Sequence, residues 1–365
     1  MWIRISPNDT LFFRTGRPFT LGSETWAEGA FPPYPSTIYG ALRTFLILKK
    51  GSLKKFIEEG YNDIGTPGSK GSMKIIGPIM CNNEGYPLFR VPYDLVKSSS
   101  KSEKDKLRLH KLFSVKKPQI YVSDDKMELI LLHRRKEVVR QVYAYLDWKS
   151  FKEYLECKKT EFDSISPEKL YISEPKIGIA RNRITLTSKD AHIYRIPMTR
   201  LTHNNGLLVR IDEVSDFPEN GLFLLGGEGK SVSFEKLSNN PIATLENVDF
   251  ELKDGLFKLY LATPTIFKNG WLPKWINPET LRGKIGGIEL QLVGCALGKC
   301  IKIGGWDIAN NRPKPTFEAI PEGSVYYFKT LNGVSLEEIK EVFHMKNVSE
   351  INPEEGFGLA FVGGV

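Results

Sequence analysis

Pro35-Ser36-Thr37-Ile38-Tyr39-Gly40-Ala41-Leu42-Arg43-Thr44-Phe45-Leu46-Ile47-Leu48 is the stretch on which the fold turns. Ile38, Leu42, Phe45, Leu46 and Leu48 recur at three- and four-residue spacing, the mark of a helix with one apolar face. Pro35 and Ser36 open it, and Ser36 is the expected N-cap. Arg43 falls one turn after Tyr39, on the same face. Upstream, Trp2 to Ser6 alternates as a short strand should, and Pro7-Asn8-Asp9 ends it with turn residues. Downstream, Lys74 to Ile79 and Pro87 to Val91 read as strands, after a turn-rich linker from Thr66 to Ser72.

The same grammar continues outward. Asp147 to Cys157 reads as a helix with Trp148, Phe151 and Leu155 on one face. Ala191 to Leu201 and Leu207 to Ile211 are expected to form a hairpin about the turn Asn204-Asn205-Gly206. Gly221 to Leu225 runs into Gly226-Gly227-Glu228-Gly229-Lys230, and Ser231 to Leu237 then alternates as a strand. A second cycle follows: a strand at Leu256 to Ala262, a short helix at Pro278 to Lys284, and strands at Ile288 to Val293 and Val325 to Lys329. Ser335 caps an amphipathic helix over Leu336 to Phe343, and the Gly-rich stretch Gly356 to Gly364 carries the last strand. Both halves therefore read as the βαββαβ pattern, an α+β protein of two ferredoxin-like (RRM-like) domains. The expected boundaries are 1–240, with a large basic insertion at about 66–175, and 248–365. The weak member is the second helix of the first half, because Asp212 to Asn220 is too short for more than a turn.

Composition removes whole classes of function. The chain has 365 residues, 41% hydrophobic and 26% charged, which suits a globular protein and not a disordered one. No run approaches the 18 or so uncharged apolar residues of a membrane helix, so no membrane partner is expected. The N-terminus lacks the basic and apolar regions of a secretory signal. Four cysteines (Cys81, Cys157, Cys295 and Cys300) cannot make a disulfide scaffold and point to a reducing, cytoplasmic location. The net charge is +8, and residues 97–159 alone hold 17 basic and 9 acidic residues. The whole excess therefore sits in one segment, as a polyanionic partner or a solvated lysine-rich insertion would both require.

Several catalytic chemistries are also poorly supported. Gly229-Lys230-Ser231 ends like a P-loop, yet the first glycine of that motif would fall at Leu224, and a strand follows where a helix is needed. The glycines still leave backbone N–H groups open to a phosphate, with Lys230 adding a point charge; a tight turn alone would explain the glycines. Cys295 and Cys300 have four residues between them and no neighbouring histidine to complete a zinc site, so no metal or other cofactor is expected. Metal-independent RNA cleavage needs a histidine, tyrosine or lysine near a 2′-hydroxyl, and His203 is the candidate for it. What remains is a set of arginines among aromatics and glycines: Arg14, Arg17, Arg43, Arg181, Arg183, Arg195 and Arg200. Guanidinium forks suit phosphates and exposed rings suit unpaired bases.

These stretches carry a resemblance. Pro35 to Arg43 resembles the first-helix signature of the RAMP proteins of CRISPR systems, and Gly226 to Lys230 and Gly356 to Ala360 resemble their glycine-rich loops. Lys176 to Arg183, Tyr194 to Leu201, Gly304-Gly305-Trp306-Asp307, Pro313-Lys314-Pro315 and Pro321 to Phe328 narrow it to the third-subunit family of the Cmr (type III-B) effector complex. The resemblance implies a non-catalytic subunit of two ferredoxin-like domains that holds the 5′ tag of the CRISPR RNA. It also implies docking to the large polymerase-like subunit and contact with the adjacent backbone RAMP subunit. Carried onto this chain, the RNA-binding residues are Ser36, Tyr39, Arg43, Gly227, Gly229 and Lys230, with Arg181, Arg183, Arg195 and Arg200 as weaker members. An endoribonuclease using His203 to mature precursor CRISPR RNA is the alternative, and a protein adaptor without RNA contact is a third reading.

Overall fold

The computed structural model describes residues 1–15, 28–98, 108–118, 126–133, 138–182, 184–185, 187–307 and 312–365. In chain order the principal elements of the first half are β1 (Trp2–Pro7), α1 (Pro35–Lys50), β2 (Lys74–Cys81), β3 (Pro87–Arg90), β4 (Tyr145–Asp147) and α2 (Trp148–Leu155). They continue with β5 (Tyr171–Arg181), β6 (Ser188–Leu201), β7 (Gly206–Asp212), β8 (Asn220–Leu224) and β9 (Ser231–Lys236). The last are β10 (Leu256–Leu261), β11 (Arg282–Ile285), β12 (Ile288–Ala296), β13 (Val325–Thr330), α3 (Leu336–Phe343) and β14 (Leu359–Gly363). The architecture is mixed α+β with strands dominant, and no helix among the described residues is long and apolar enough to cross a membrane.

These elements gather into two compact units that interleave along the chain. One comprises Met1–Gly85, Glu168–Asn239 and Lys302–Glu318; the other comprises Tyr86–Pro167, Asn240–Ile301 and Ala319–Val365. Tyr86–Pro167, the larger part of the stretch read as an insertion in the first half, thus belongs to the unit built on the C-terminal sheet.

In the first unit the sheet order is β2-β7-β1-β9-β8, with neighbours antiparallel. β7 lies between β1 and β2, so the β1–α1–β2 crossover is split by a third strand. The periodic face of α1 is buried through Ile38, Leu42 and Leu46, each at 0% exposure. A long two-stranded ribbon, β5 against β6, completes this unit. In the second unit the order is β11-β12-β13-β10-β14, and β10, β12, β13 and β14 repeat the arrangement of β1, β2, β7 and β9. Here Ser335 closes a capping box on α3: its hydroxyl accepts from Glu338 N at 3.3 Å while Glu338 accepts from Ser335 N at 2.8 Å. Asp147 caps α2 through Lys149 N and Ser150 N, both at 2.9 Å, and Phe151 of α2 stacks on Phe89 of β3 with ring centroids 4.0 Å apart.

Three local expectations fail, each for a physical reason. Ser36 is not the N-cap: Tyr34 takes that position with no side-chain hydrogen bond, and Pro35 occupies the first helical position, which its fixed φ suits. The hairpin between 191–201 and 207–211 does not form, because β6 pairs with β5 while β7 pairs with β2 and β1. The turn is real, with His203 and Asn204 at φ of 51° and 56°, but it joins two sheets. Leu207, Leu208 and Val209 are consecutive and all fully buried, which marks a central strand needing two partners. Finally, the helix at Pro278 to Lys284 gives way to β11, which turns back into β12 through Gly286 and Gly287 at φ of 55° and 83°. Two successive positive φ values make the two-residue turn that a twisted hairpin favours.

Candidate nucleic-acid interface

The glycine loop joins β8 to β9 inside the first unit. Leu225 N donates to Lys230 O at 2.9 Å, which closes the loop, and Gly227 N donates to Phe12 O at 2.8 Å, which fastens it to the segment after β1. A Cβ at Gly226 would stand 2.6 Å from the Phe12 carbonyl oxygen, so only glycine allows this approach. At Gly229 a Cβ would meet nothing within 4 Å, and that side of the loop is open. The Gly227 amide is thus engaged, while Gly229 lines free space.

The turn after β1, the two ribbon strands β5 and β6 and the glycine loop bring six charged side chains together. Lys230 Nζ donates to Asp9 Oδ2, and Arg200 Nη2 stands 3.4 Å from Asp9 Oδ1. Arg200 also grips Glu174 with two hydrogen bonds, 2.5 Å from Nε and 2.9 Å from Nη2. Lys176 pairs with Glu228 of the loop. The Lys230 ammonium, helped by the Thr10 amide, pulls the Asp9 carboxyl down to about 2. Arg200 holds Glu174 below the usual carboxylate range in the same way.

The ribbon register explains which arginines arrive here. Cross-strand partners share a face, and Ile172↔Arg200, Glu174↔Met198 and Lys176↔Ile196 put Arg200, Glu174 and Lys176 on one side. That side packs down through Ile196 and Met198 against Phe12 and Tyr194. Arg195 pairs with Ile177 and so lies on the opposite, solvent-facing side, where Ile177 and Ile179 are 58% and 51% exposed. Arg181 is exposed at the end of β5, and Arg183 and Arg17 lie outside the described residues. Beside Asp9 and Arg200 opens a polar cleft of about 290 Å³, walled by Arg4, Ser6, Asn8, Asn204 and Asn205.

The residues of α1 are placed differently. Ser36 is half-buried in the first turn, and Tyr39 is buried, with its hydroxyl donating to Met73 O at 3.4 Å. Arg43 donates to Ile64 O (2.9 Å), Thr66 O (2.5 Å) and Ser69 O (2.9 Å) and lies over the Phe56 ring. It therefore clamps the small hairpin that the sequence presented as a linker. His203 is exposed on its turn, and among the described residues no carboxylate or other side chain hydrogen-bonds to it. Among the same residues no group of three or more His, Cys, Asp or Glu side chains could hold a metal ion.

The sequence profile of the CRISPR-associated Cas_Cmr3 proteins matches residues 3–365. The chain belongs to the Cas_Cmr3 family. No curated protein sequence matches it significantly. Among solved structures, it is similar to a chain of the type III-B Cmr-beta complex bound to cognate target RNA, with a TM-score of 0.53 and 19% identity over 90% of this chain and 86% of that one. A chain of the same complex bound to cognate target RNA and AMPPnP gives a TM-score of 0.53 at 18% identity, again over 90% and 86%. At such identities the likeness establishes the fold. The family expected from the first-helix, glycine-loop and ribbon motifs is therefore the family found.

What sequence reasoning missed in this Cas_Cmr3 chain are the carboxylates. Asp9, Glu174 and Glu228 hold Lys230, Arg200 and Lys176, but Asp9 lies 221 positions from Lys230. The Asn8-Asp9 turn carried no signal beyond ending a strand.

Proposed function

We propose that this chain is a non-catalytic RNA-holding subunit of a type III-B CRISPR effector, gripping the 5′ tag of the CRISPR RNA at the glycine loop and β6. In this reading it also docks the large polymerase-like subunit and abuts the adjacent backbone RAMP subunit. Each sheet, with its crossover split by a third strand, is read as one ferredoxin-like domain, the first within 1–240 and the second within 248–365. The family supports the setting, and the RNA-bound complexes named above supply the analogy.

The observation that carries the RNA reading is that Lys230 of the glycine loop and Arg200 of β6 meet at Asp9, where Asp9 and Arg200 line a polar cleft. One cation on a strand and one on an open glycine turn suit phosphates, and a cleft walled by asparagine and serine suits the edge of an unpaired base. The endoribonuclease alternative gains no support from His203, to which no side chain among the described residues hydrogen-bonds. The test is RNA affinity against salt for wild type and for the Lys230→Ala/Arg200→Ala double variant. Losing two cations should weaken binding and flatten the slope of log K on log[salt] by up to roughly 1.4, at about 0.7 per cation on single strands. An unchanged slope would remove both residues from the interface.

A further inference from the structure

Asp9 is the group at this site that an RNA ligand would least tolerate, and its geometry suggests a purpose. Its two carboxylate oxygens each face a different cation, Oδ1 towards Arg200 and Oδ2 towards Lys230. A phosphodiester presents the same arrangement: one negative charge shared by two non-bridging oxygens that can each take a hydrogen-bond donor. We infer that the Asp9 carboxylate holds the place of an RNA phosphate, and that binding of single-stranded RNA at this site exchanges the carboxylate for a phosphodiester between Lys230 and Arg200. This rests on the RNA reading above and adds to it a residue that sets affinity from the protein side.

Three features favour exchange over a fixed structural role. Asp9 sits on the turn that ends β1, and its side chain is 49% exposed, so it can swing out without disturbing the core. The loop bearing Lys230 is fastened independently, by Gly227 N on Phe12 O and Leu225 N on Lys230 O, and does not need Asp9 to keep its shape. Arg200 is likewise held by Glu174 when Asp9 leaves. The exchange conserves charge, one monoanion for another, and both cations stay oriented in the free protein. Lys230 keeps the carboxyl ionised through the ordinary pH range, so RNA and not protonation is what displaces it.

The test is fluorescence anisotropy of a 3′-labelled single-stranded RNA with the full chain, as wild type, Asp9→Asn, Asp9→Asn/Lys230→Ala, and Asp9→Ser as a second neutral variant should Asn disturb the turn. Removing the competing charge should tighten binding by roughly two- to fivefold, the range of an exposed ion pair, and steepen the salt slope by up to about 0.7. Adding Lys230→Ala should cancel that gain. Neutral variants that bind like wild type, or more weakly, would overturn the exchange while leaving the RNA reading intact. If neither wild type nor variants bind RNA, the RNA reading fails and the exchange with it.

Discussion

Asp94→Ala should cost the second unit about 3–5 kcal/mol, because it breaks a buried charge network by removing one partner. Asp94 is fully buried and accepts from the Tyr154 hydroxyl at 2.8 and 2.9 Å and from the Tyr327 hydroxyl at 2.7 Å. Its loss leaves two buried phenols without an acceptor, at about 1–3 kcal/mol each. It also removes the carboxylate that partly offsets the fully buried Lys258, whose ammonium stands 3.3 Å above the Tyr154 ring and donates to Tyr154 O at 3.0 Å. Burial first, then the nearby Lys111, lowers Lys258 to about 8, with Asp94 pulling the other way. At about 2–4 °C per kcal/mol for a unit of this size, calorimetry should show Tm falling by roughly 6–20 °C. Asp94→Asn, which keeps one acceptor, should lose about half as much. A drop under about 2 °C for Asp94→Ala would refute the claim that this network, joining α2 to β13, is held by that carboxylate.

Three further outcomes follow from single residues. His344 Nδ1 accepts from Val362 N at 3.1 Å, so Nε2 carries the proton given to Leu245 O at 2.6 Å, and the ring must be neutral. Burial keeps its pKa below 6.5. Between the folded and unfolded values the unfolded chain binds more protons, so stability present above pH 6.5 should fall on acidification through that window; a Tm profile from about pH 7.5 to 5 that His344→Gln does not flatten would count against it. A Cβ at Gly283 would stand 1.9 Å from the Trp275 carbonyl oxygen, so Gly283→Ala should cost about 3 kcal/mol in urea denaturation. Gly287→Ala, with nothing within 4 Å, should cost about 1–2 kcal/mol from its positive φ alone; equal losses would sink the steric account. Arg43→Ala should raise hydrogen exchange across Gly65–Lys70 by about tenfold or more, since three carbonyls lose their donor, and unchanged protection would show that the hairpin stands without it.

Local structure was legible in this chain where one face is buried and caps are explicit. Ile38, Leu42 and Leu46 announced α1, Phe151 and Leu155 announced α2, and Ser335 ahead of an amphipathic stretch announced α3. Pairing was less legible, because Leu207 to Val209 reads equally as a hairpin arm or as a central strand until its partners are known. Spacing set Tyr39 and Arg43 on one face of α1 correctly; nothing local said that this face meets Met73 and the 64–69 carbonyls. The ion-pair chain through Asp9, Arg200 and Glu174 was invisible for a related reason. It joins the end of β1 to a distant ribbon and loop, and a sequence pattern has no term for two charges two hundred residues apart.

The most direct test of the central claim is crosslinking within the assembled effector, using guide RNAs with an intact or a scrambled 5′ tag and mapping the adducts on this chain. Adducts are expected at Gly227 to Lys230 and around Arg200, and they should disappear when the tag is scrambled. Adducts elsewhere on the chain, or none on it at all, would contradict the claim.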